Sequence, residues 1–186
     1  HESFFEKDLK DIHIFITGVG NVGGYLIQQI KDQKDFISEN LGLNLKILGI
    51  SNSKKMLISK KEIDLKNWSE LLNNSSAKAD KDIFQKTIIE LNRRNSLFVD
   101  NTASEIIPLT YKDYLKNGVG IITCNKISNS GTLSLYKELR ELSRGHNTPF
   151  YYETNVGAAL PVISTLKNLI NSGDKVLKIE AVLSGT

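Results

Sequence analysis

Three glycines near the start of the chain, Gly18, Gly20 and Gly23, have the spacing of a turn that binds the pyrophosphate of a dinucleotide. In such a turn the first glycine permits a tight bend, the second lets the backbone approach the anion, and the third lets helix and strand pack closely. The helix that follows offers unpaired N–H groups to the anion. Because glycine-rich turns also serve as plain connectors, the spacing alone leaves both interpretations open.

The residues on both sides of this turn favour nucleotide binding. Residues 12–17 alternate β-branched side chains with others and are typical of a buried strand. Residues 22–31 place Val22, Leu26 and Ile30 at helical spacing. Strand, glycine turn and helix therefore follow one another in the order of a dinucleotide-binding βαβ unit.

A polar segment after the next apolar run, residues 45–50, bears on the choice of cofactor. The segment consists of Ser51, Asn52, Ser53, Lys54 and Lys55 and contains no carboxylate. A carboxylate here would accept hydrogen bonds from the ribose 2′-OH of NAD, whereas hydroxyls, amides and cations suit the 2′-phosphate of NADP. The segment therefore predicts NADP rather than NAD. The other interpretation is that both lysines are simply solvated in a polar loop.

Two further polar segments follow predicted strands, at residues 100–104 and 124–126. The carboxyl ends of parallel strands meet at one edge of a sheet, where ligands bind. Thr102 and Ser104 are expected either to bind the cofactor or to cap the next helix. Cys124 is interpreted as a small buried apolar residue, because nothing near it in sequence resembles the base that a nucleophile requires.

Composition excludes several classes of protein. The 186 residues include 24 Lys and Arg against 21 Asp and Glu, so no charge excess points to nucleic acid or to an anionic membrane. No apolar run approaches the roughly 20 residues that span a bilayer. A single cysteine cannot form an internal disulfide, which favours a reducing cytoplasm.

The order of elements predicts an α/β protein with a Rossmann-type, doubly wound parallel sheet. Asp80 is expected to cap a helix with an apolar face over residues 83–91. We expect a tail or linker at residues 1–11, an NAD(P)-binding domain at 12–148, and the start of a second, α+β domain at 149–186. A long alternating strand is predicted at 175–183, and it lacks an obvious neighbour.

Four stretches together resemble the homoserine dehydrogenase family. They are residues 18–23 (GVGNVG), 99–104 (VDNTAS), 123–126 (TCNK) and 152–163 (YETNVGAALPVI). Residues 49–54 are most similar to the dehydrogenase part of bifunctional aspartokinase–homoserine dehydrogenases. The resemblance covers essentially the whole chain, and the last stretch is far more specific than the glycine turn.

The resemblance implies an oxidoreductase that reduces L-aspartate 4-semialdehyde to L-homoserine with NADPH or NADH, on the route to threonine and methionine. Lys126 matches the family lysine that lies near cofactor and substrate, where an ammonium group polarises a carbonyl or relays a proton. The cofactor-binding residues are then expected to be Gly18, Val19, Gly20, Asn21, Val22, Gly23, Ser51, Asn52, Ser53, Lys54, Thr102, Ala103 and Lys126.

The family also has a site for a monovalent cation, expected to be sodium, formed by backbone oxygens and one carboxylate. By resemblance it maps onto Glu153, Val156, Ala158 and Leu160. Oxygen donors without imidazoles or thiolates suit a hard cation.

The family continues past Thr186 into the rest of a substrate and dimerisation domain, which carries acidic substrate-binding residues and a second lysine. We therefore expect this chain to be a fragment whose parent is a homo-oligomer acting on a small molecule. Whether an aspartokinase domain precedes His1 is open. The alternative is a non-catalytic nucleotide-binding module. A semialdehyde enzyme that forms a thioester is disfavoured, because Cys124 lacks a visible partner.

Overall fold

The chain folds around one six-stranded sheet. The computed structural model describes residues 9–158 and 160–181. The strands are β1 (Lys10–Thr17), β2 (Leu43–Ser51), β3 (Met56–Ile58), β4 (Ser96–Asp100), β5 (Gly120–Thr123) and β6 (Phe150–Tyr151). Their spatial order is β3-β2-β1-β4-β5-β6, and every neighbouring pair is parallel except β2 and β3. The predicted Rossmann-type α/β sheet is confirmed, with one short antiparallel strand added at its edge.

Helices cover both faces of the sheet. They are α1 (Asn21–Leu41), α2 (Trp68–Asn73), α3 (Lys81–Leu91), α4 (Tyr111–Lys116), α5 (Ile127–Ser130), α6 (Leu133–Gly145) and α7 (Val162–Asn171), with 3₁₀ turns at Ile107–Thr110 and Glu153–Asn155. None of the helices within the described ranges is long and apolar enough to cross a membrane.

Alternation along β1 separates two cores, because successive side chains of a strand point to opposite faces. Ile14 and Ile16 pack with the buried residues of α1 and α2, whereas Phe15 packs with those of α3, α4 and α6. On this second face Phe98 stacks on Tyr114, with ring centroids 4.3 Å apart. The two cores fix the carboxyl ends of β1, β2 and β4 relative to one another, and these ends form the floor of the site described below.

Asp80 caps α3 as predicted. One of its carboxylate oxygens accepts hydrogen bonds from the backbone N–H groups of Asp82 and Ile83, each at 2.9 Å. The capped helix starts at the same edge of the sheet at which β2 ends, and this places its first residues beside the polar segment after β2.

The strand predicted at residues 175–183 is wrong over its described part. Residues 174–181 belong to no helix or strand, and residues 182–183 lie outside the described residues. Alternation favours a strand only when another backbone satisfies its N–H and C=O groups, and none of the described strands lies beside this segment.

The expected domain boundaries stay predictions. β1 begins at Lys10, so the described part of the expected tail already joins the sheet, and residues 1–8 lie outside the described residues. β6 pairs with β5 in the same sheet, slightly beyond the expected boundary at residue 148.

Candidate dinucleotide site

The glycine turn joins β1 to α1 at the carboxyl edge of the sheet. Gly18 has a φ of +88°, and a Cβ there would lie 2.8 Å from the carbonyl carbon of Asn101. A Cβ on Gly23 would lie 2.0 Å from the Gly18 carbonyl oxygen. Both positions therefore require glycine, for the bend and for close packing respectively.

Gly20 differs from the other two glycines of the motif. A Cβ on Gly20 would meet no described atom within 4 Å, so its backbone faces open space. No side chain of the described residues caps α1, which begins at Asn21 after this glycine. The turn thus leaves both an approach and unpaired helix N–H groups for an anion. The side chain of Val19 is buried against the first core, so only its backbone faces this approach.

A cleft of about 350 Å³ runs along this edge beside the turn. The end of β2 contributes Ser51, Asn52 and Ser53, and the loop after β4 contributes Thr102 and Ser104. Two neighbouring residues that the sequence did not single out as ligands, Asp80 and Lys81, complete one wall from the start of α3. The sequence signal that could have found them is the predicted helix cap at Asp80. A helix that follows a parallel strand starts at the carboxyl edge of the sheet, so its first residues lie near the ends of the strands.

Within the polar segment after β2, the side chains hold the turn together. The Asn52 side-chain oxygen accepts hydrogen bonds from the N–H groups of Lys54 (2.8 Å) and Lys55 (2.7 Å). The Lys55 ammonium donates to the carbonyl of Ser75, which turns it away from the cleft. Lys54 is exposed and is not among the lining residues, so its expected role in cofactor binding stays a prediction.

In the loop after β4, the hydroxyls of Thr102 and Ser104 support the local turn, and their expected role in cofactor binding stays a prediction. Ser104 Oγ accepts from the N–H of Ile106 at 3.2 Å and so supports the turn before the 3₁₀ segment, while Thr102 Oγ1 accepts from the N–H of Ser104 at 3.2 Å. Both residues also line the cleft. Ala103 between them is exposed.

Lys126 lies at the start of α5, on the loop after β5. Its side chain is exposed, and within the described ranges its ammonium contacts no carboxylate. This leaves the ammonium able to meet an oxygen of a bound substrate.

Cys124 is only half-buried, not fully buried as predicted, but its surroundings are not those of a nucleophile. Burial and the nearby Asp100 carboxylate raise the pKa of its thiol, which keeps it protonated at neutral pH. Its sulfur lies 3.7 Å from the Asn101 side-chain oxygen, and no base among the described residues contacts it.

Asn101 is a polar residue of the edge that the sequence did not single out as a ligand. Its side-chain nitrogen is buried without a hydrogen-bond partner among the described residues. The side chain faces a second groove, of about 570 Å³, which Val22, Tyr25 and Ile122 also line. This nitrogen lies against the glycine turn, 3.3 Å from the position that a Cβ on Gly23 would take.

Comparisons with known proteins identify the family and the fold. The family model for the homoserine dehydrogenase NAD-binding domain matches residues 18–153. The chain belongs to the homoserine dehydrogenase family. Among curated relatives, the chloroplastic bifunctional aspartokinase/homoserine dehydrogenase 2 of Arabidopsis thaliana is 44% identical over 187 residues, covering 100% of this chain and 20% of that protein. The chain thus spans about a fifth of the length of that relative.

Solved structures share the fold of this chain. A Candida auris protein described as of unknown function matches with a TM-score of 0.77 and 28% identity, over 90% of this chain and 45% of that one. A hyperthermophilic archaeal homoserine dehydrogenase in complex with NADPH matches with a TM-score of 0.68 over 87% of this chain and 50% of that one. At 24% identity, the second likeness shows the shared fold.

The homoserine dehydrogenase cation site expected at residues 153–160 is only partly available in this loop. Both carboxylate oxygens of Glu153 accept hydrogen bonds from the start of α7, from Ile163 N–H at 2.8 Å and Ser164 N–H at 2.9 Å. The Leu160 carbonyl accepts from Val162 N–H at 2.9 Å. The carbonyls of Val156 and Ala158 accept no hydrogen bond from any described residue. In this structure the Glu153 side chain caps the start of α7.

Proposed function

We propose that the chain is the cofactor-binding part of a homoserine dehydrogenase, which reduces L-aspartate 4-semialdehyde to L-homoserine with NAD(P)H. The observation that carries the proposal is the open backbone of Gly20 at the start of an uncapped helix. The neighbouring Gly18 lines the cleft together with the end of β2 and with Thr102, and Lys126 lies on the loop after β5. This arrangement offers a pyrophosphate site flanked by one site for each half of a dinucleotide.

In the proposed reaction, this chain contributes a group that stabilises charge on the aldehyde oxygen. The bound cofactor supplies a hydride to the aldehyde carbon. The Lys126 ammonium would donate a hydrogen bond to the aldehyde oxygen, and its positive charge would stabilise the negative charge that develops there. Transfer of the ammonium proton to this oxygen would complete the hydroxyl of the product, and solvent would return the proton to the amine.

A fluorescence titration of the chain with NADPH and with NADH, followed by addition of aspartate 4-semialdehyde, tests this proposal. We expect saturable binding of the reduced cofactor. If the chain also turns over, Lys126→Ala should lower the rate by roughly 100-fold or more, as expected for loss of a proton-donating or charge-stabilising group. Binding without consumption would support the non-catalytic nucleotide-binding module. Absence of binding would refute the proposal.

We infer that NADP is preferred over NAD and that Lys81 contributes to this preference. Lys81 lies in the cleft wall beside the hydroxyls and amide at the end of β2, and its half-buried ammonium is 2.5 Å from Asp82. Lys81→Ala is expected to weaken NADPH binding about tenfold through loss of a charge-assisted hydrogen bond, with NADH binding unchanged. Lys86→Ala is the matched control, since Lys86 lies on the same helix but outside the cleft lining. Equal losses for both cofactors in Lys81→Ala would count against this assignment.

We propose that sodium binds at the loop of residues 153–160. The carbonyls of Val156 and Ala158 are available, and Glu153 and Leu160 would complete an all-oxygen site that suits a hard cation. The cation would fix the loop beside the start of α7. Hydrogen exchange of the loop amides in sodium chloride and in choline chloride tests this, and identical protection in the two salts would refute it.

We further propose that the parent protein is a homo-oligomer, that an aspartokinase domain is fused to it, and that it works in a reducing compartment such as the cytoplasm. Bifunctional relatives support the fusion. The lone cysteine supports the compartment. The mass of the native protein tests whether it is a homo-oligomer, and an assay of its aspartokinase activity tests the fusion. Cell fractionation tests the compartment.

A further inference from the structure

A network of buried polar side chains lies beneath the carboxyl edge of the sheet, and apolar packing does not explain why polar groups occupy these positions. Asp100, Tyr111, Thr123 and Asn125 are each at most 2% exposed. Asp100 ends β4, Thr123 ends β5, Asn125 precedes Lys126, and Tyr111 rises from α4 on the second face of the sheet. A carboxylate buried this completely has to be satisfied by hydrogen bonds, because its desolvation is otherwise too costly.

The Asp100 carboxylate is satisfied by groups from three segments. One oxygen accepts from the N–H of Thr102 at 2.8 Å. The other accepts from the Tyr111 hydroxyl at 2.6 Å and from the Asn125 side-chain nitrogen at 3.1 Å. The Tyr111 oxygen is also 2.8 Å from Thr123 Oγ1, which accepts from the N–H of Asn125 at 2.9 Å.

Asn125 connects this carboxylate to the loops at the surface. Its side-chain nitrogen also donates to the Ser104 carbonyl at 2.8 Å and lies 3.4 Å from Thr102 Oγ1. Its own carbonyl accepts from Asn155 at 3.3 Å. The network therefore joins the loops after β4, β5 and β6, which carry Thr102, Lys126 and the loop of residues 153–160 respectively.

Tyr111 remains a hydrogen-bond donor over the whole working range of pH. Burial, followed by the Asp100 charge, raises the pKa of its phenol well above the usual value. Tyr114, one helical turn further along α4, is equally buried but makes no hydrogen bond with any described residue through its hydroxyl. Its pKa is raised for the same first reason. The chain thus contains two buried phenols on one helix, of which one serves the network.

We propose that Asp100, Tyr111 and Asn125 are positioning residues that hold Thr102 and Lys126 in one fixed arrangement at the nicotinamide half of the cofactor site. The inference rests on the proposed function. Without the Tyr111 hydroxyl, the Asp100 oxygen loses its shortest hydrogen bond. The same oxygen accepts from the Asn125 amide, so the carboxylate that orients this amide is held less firmly. The loops after β4 and β5 are then held less firmly. Thr102 and Ser104 also line one side of the cleft at the end of β2. The other side of the cleft, formed by the end of β2 and the start of α3, belongs to none of the segments that the network joins.

Two probes separate this role from a loss of stability. NADPH occupies both halves of the site, whereas adenosine 2′,5′-bisphosphate occupies only the half at the end of β2. For Tyr111→Phe we expect about fivefold weaker NADPH binding, because one hydrogen bond that holds the site in its binding arrangement is lost. Binding of the bisphosphate should stay unchanged within about twofold. Tyr114→Phe, the matched control, should leave both affinities unchanged. Asp100→Asn should show the same split as Tyr111→Phe, because it places an N–H group where Asn125 and Tyr111 also donate.

The outcomes distinguish failure of the positioning role from failure of the proposed function. NADPH binding unchanged in Tyr111→Phe, or both probes weakened equally in each variant, would overturn the positioning role and leave the proposed function standing. If one variant does not fold, as judged by circular dichroism, the other decides the matter. Failure of the unmodified chain to bind NADPH while it binds the bisphosphate would overturn the positioning role and the proposed function together.

Discussion

Gly23→Ala is expected to lower the free energy of unfolding by about 3 kcal/mol, the upper part of the range for overpacking a buried site. The added Cβ would lie 2.0 Å from the Gly18 carbonyl oxygen, a backbone atom that no side-chain rotation can move. Relief requires α1 to shift away from the glycine turn. For a chain of this size the unfolding midpoint should fall by roughly 10 °C, measured by circular dichroism.

Gly24→Ala is the matched control, one residue along the same helix. Its Cβ would lie 3.7 Å from the Trp68 ring, an ordinary contact. Replacing glycine by alanine inside a helix is worth roughly 1 kcal/mol in helix propensity, so this variant should be at least as stable as the parent. A similar loss of stability in both variants would contradict the role assigned to Gly23.

Gly20→Ala is expected to weaken NADPH binding by roughly ten- to a hundredfold, which corresponds to an overpacking cost of about 1–3 kcal/mol. Without a ligand the new methyl group meets no described atom within 4 Å, so the chain itself should tolerate it. With a ligand, the methyl group occupies the space through which a pyrophosphate would approach the backbone. Isothermal titration calorimetry with NADPH measures this loss.

Adenosine 2′,5′-bisphosphate is the control ligand for Gly20→Ala, because it has no pyrophosphate and should bind as before. The unfolding midpoint should fall far less than in Gly23→Ala, since only the N-cap preference for glycine over alanine is lost. NADPH binding at full strength in Gly20→Ala would mean that the pyrophosphate does not pass over this turn.

The sequence was sufficient to predict those elements that form through interactions between neighbouring residues. Strand, glycine turn and helix at residues 12–31 are each encoded by neighbouring residues, and the geometry of Gly18, Gly20 and Gly23 follows the expected roles. The cap at Asp80 likewise depends on backbone groups only two and three residues away. The family resemblance rests on such short stretches, and the family match over residues 18–153 confirms it.

Pairing between distant segments could not be predicted in this way. β3 has only three residues, too few to show a period, and it exists because β2 offers an open edge. The reverse holds for residues 175–183, whose alternation predicted a strand that has no neighbour over its described part. A strand is a property of two backbones, and a sequence shows only one of them.

The tertiary structure alone decided which polar groups are free to act. Lys55 and Lys81 look alike in the sequence, yet the Lys55 ammonium donates to the Ser75 carbonyl, whereas Lys81 lines the cleft with its ammonium paired to Asp82. Glu153 is engaged by the start of α7, ten and eleven residues further along the chain. Asp100 is joined to Asn125 across 25 residues. Residue types and spacing determined what chemistry the chain contains, but hydrogen bonds and burial depend on which segments the fold brings to one edge, and these determine where that chemistry is available.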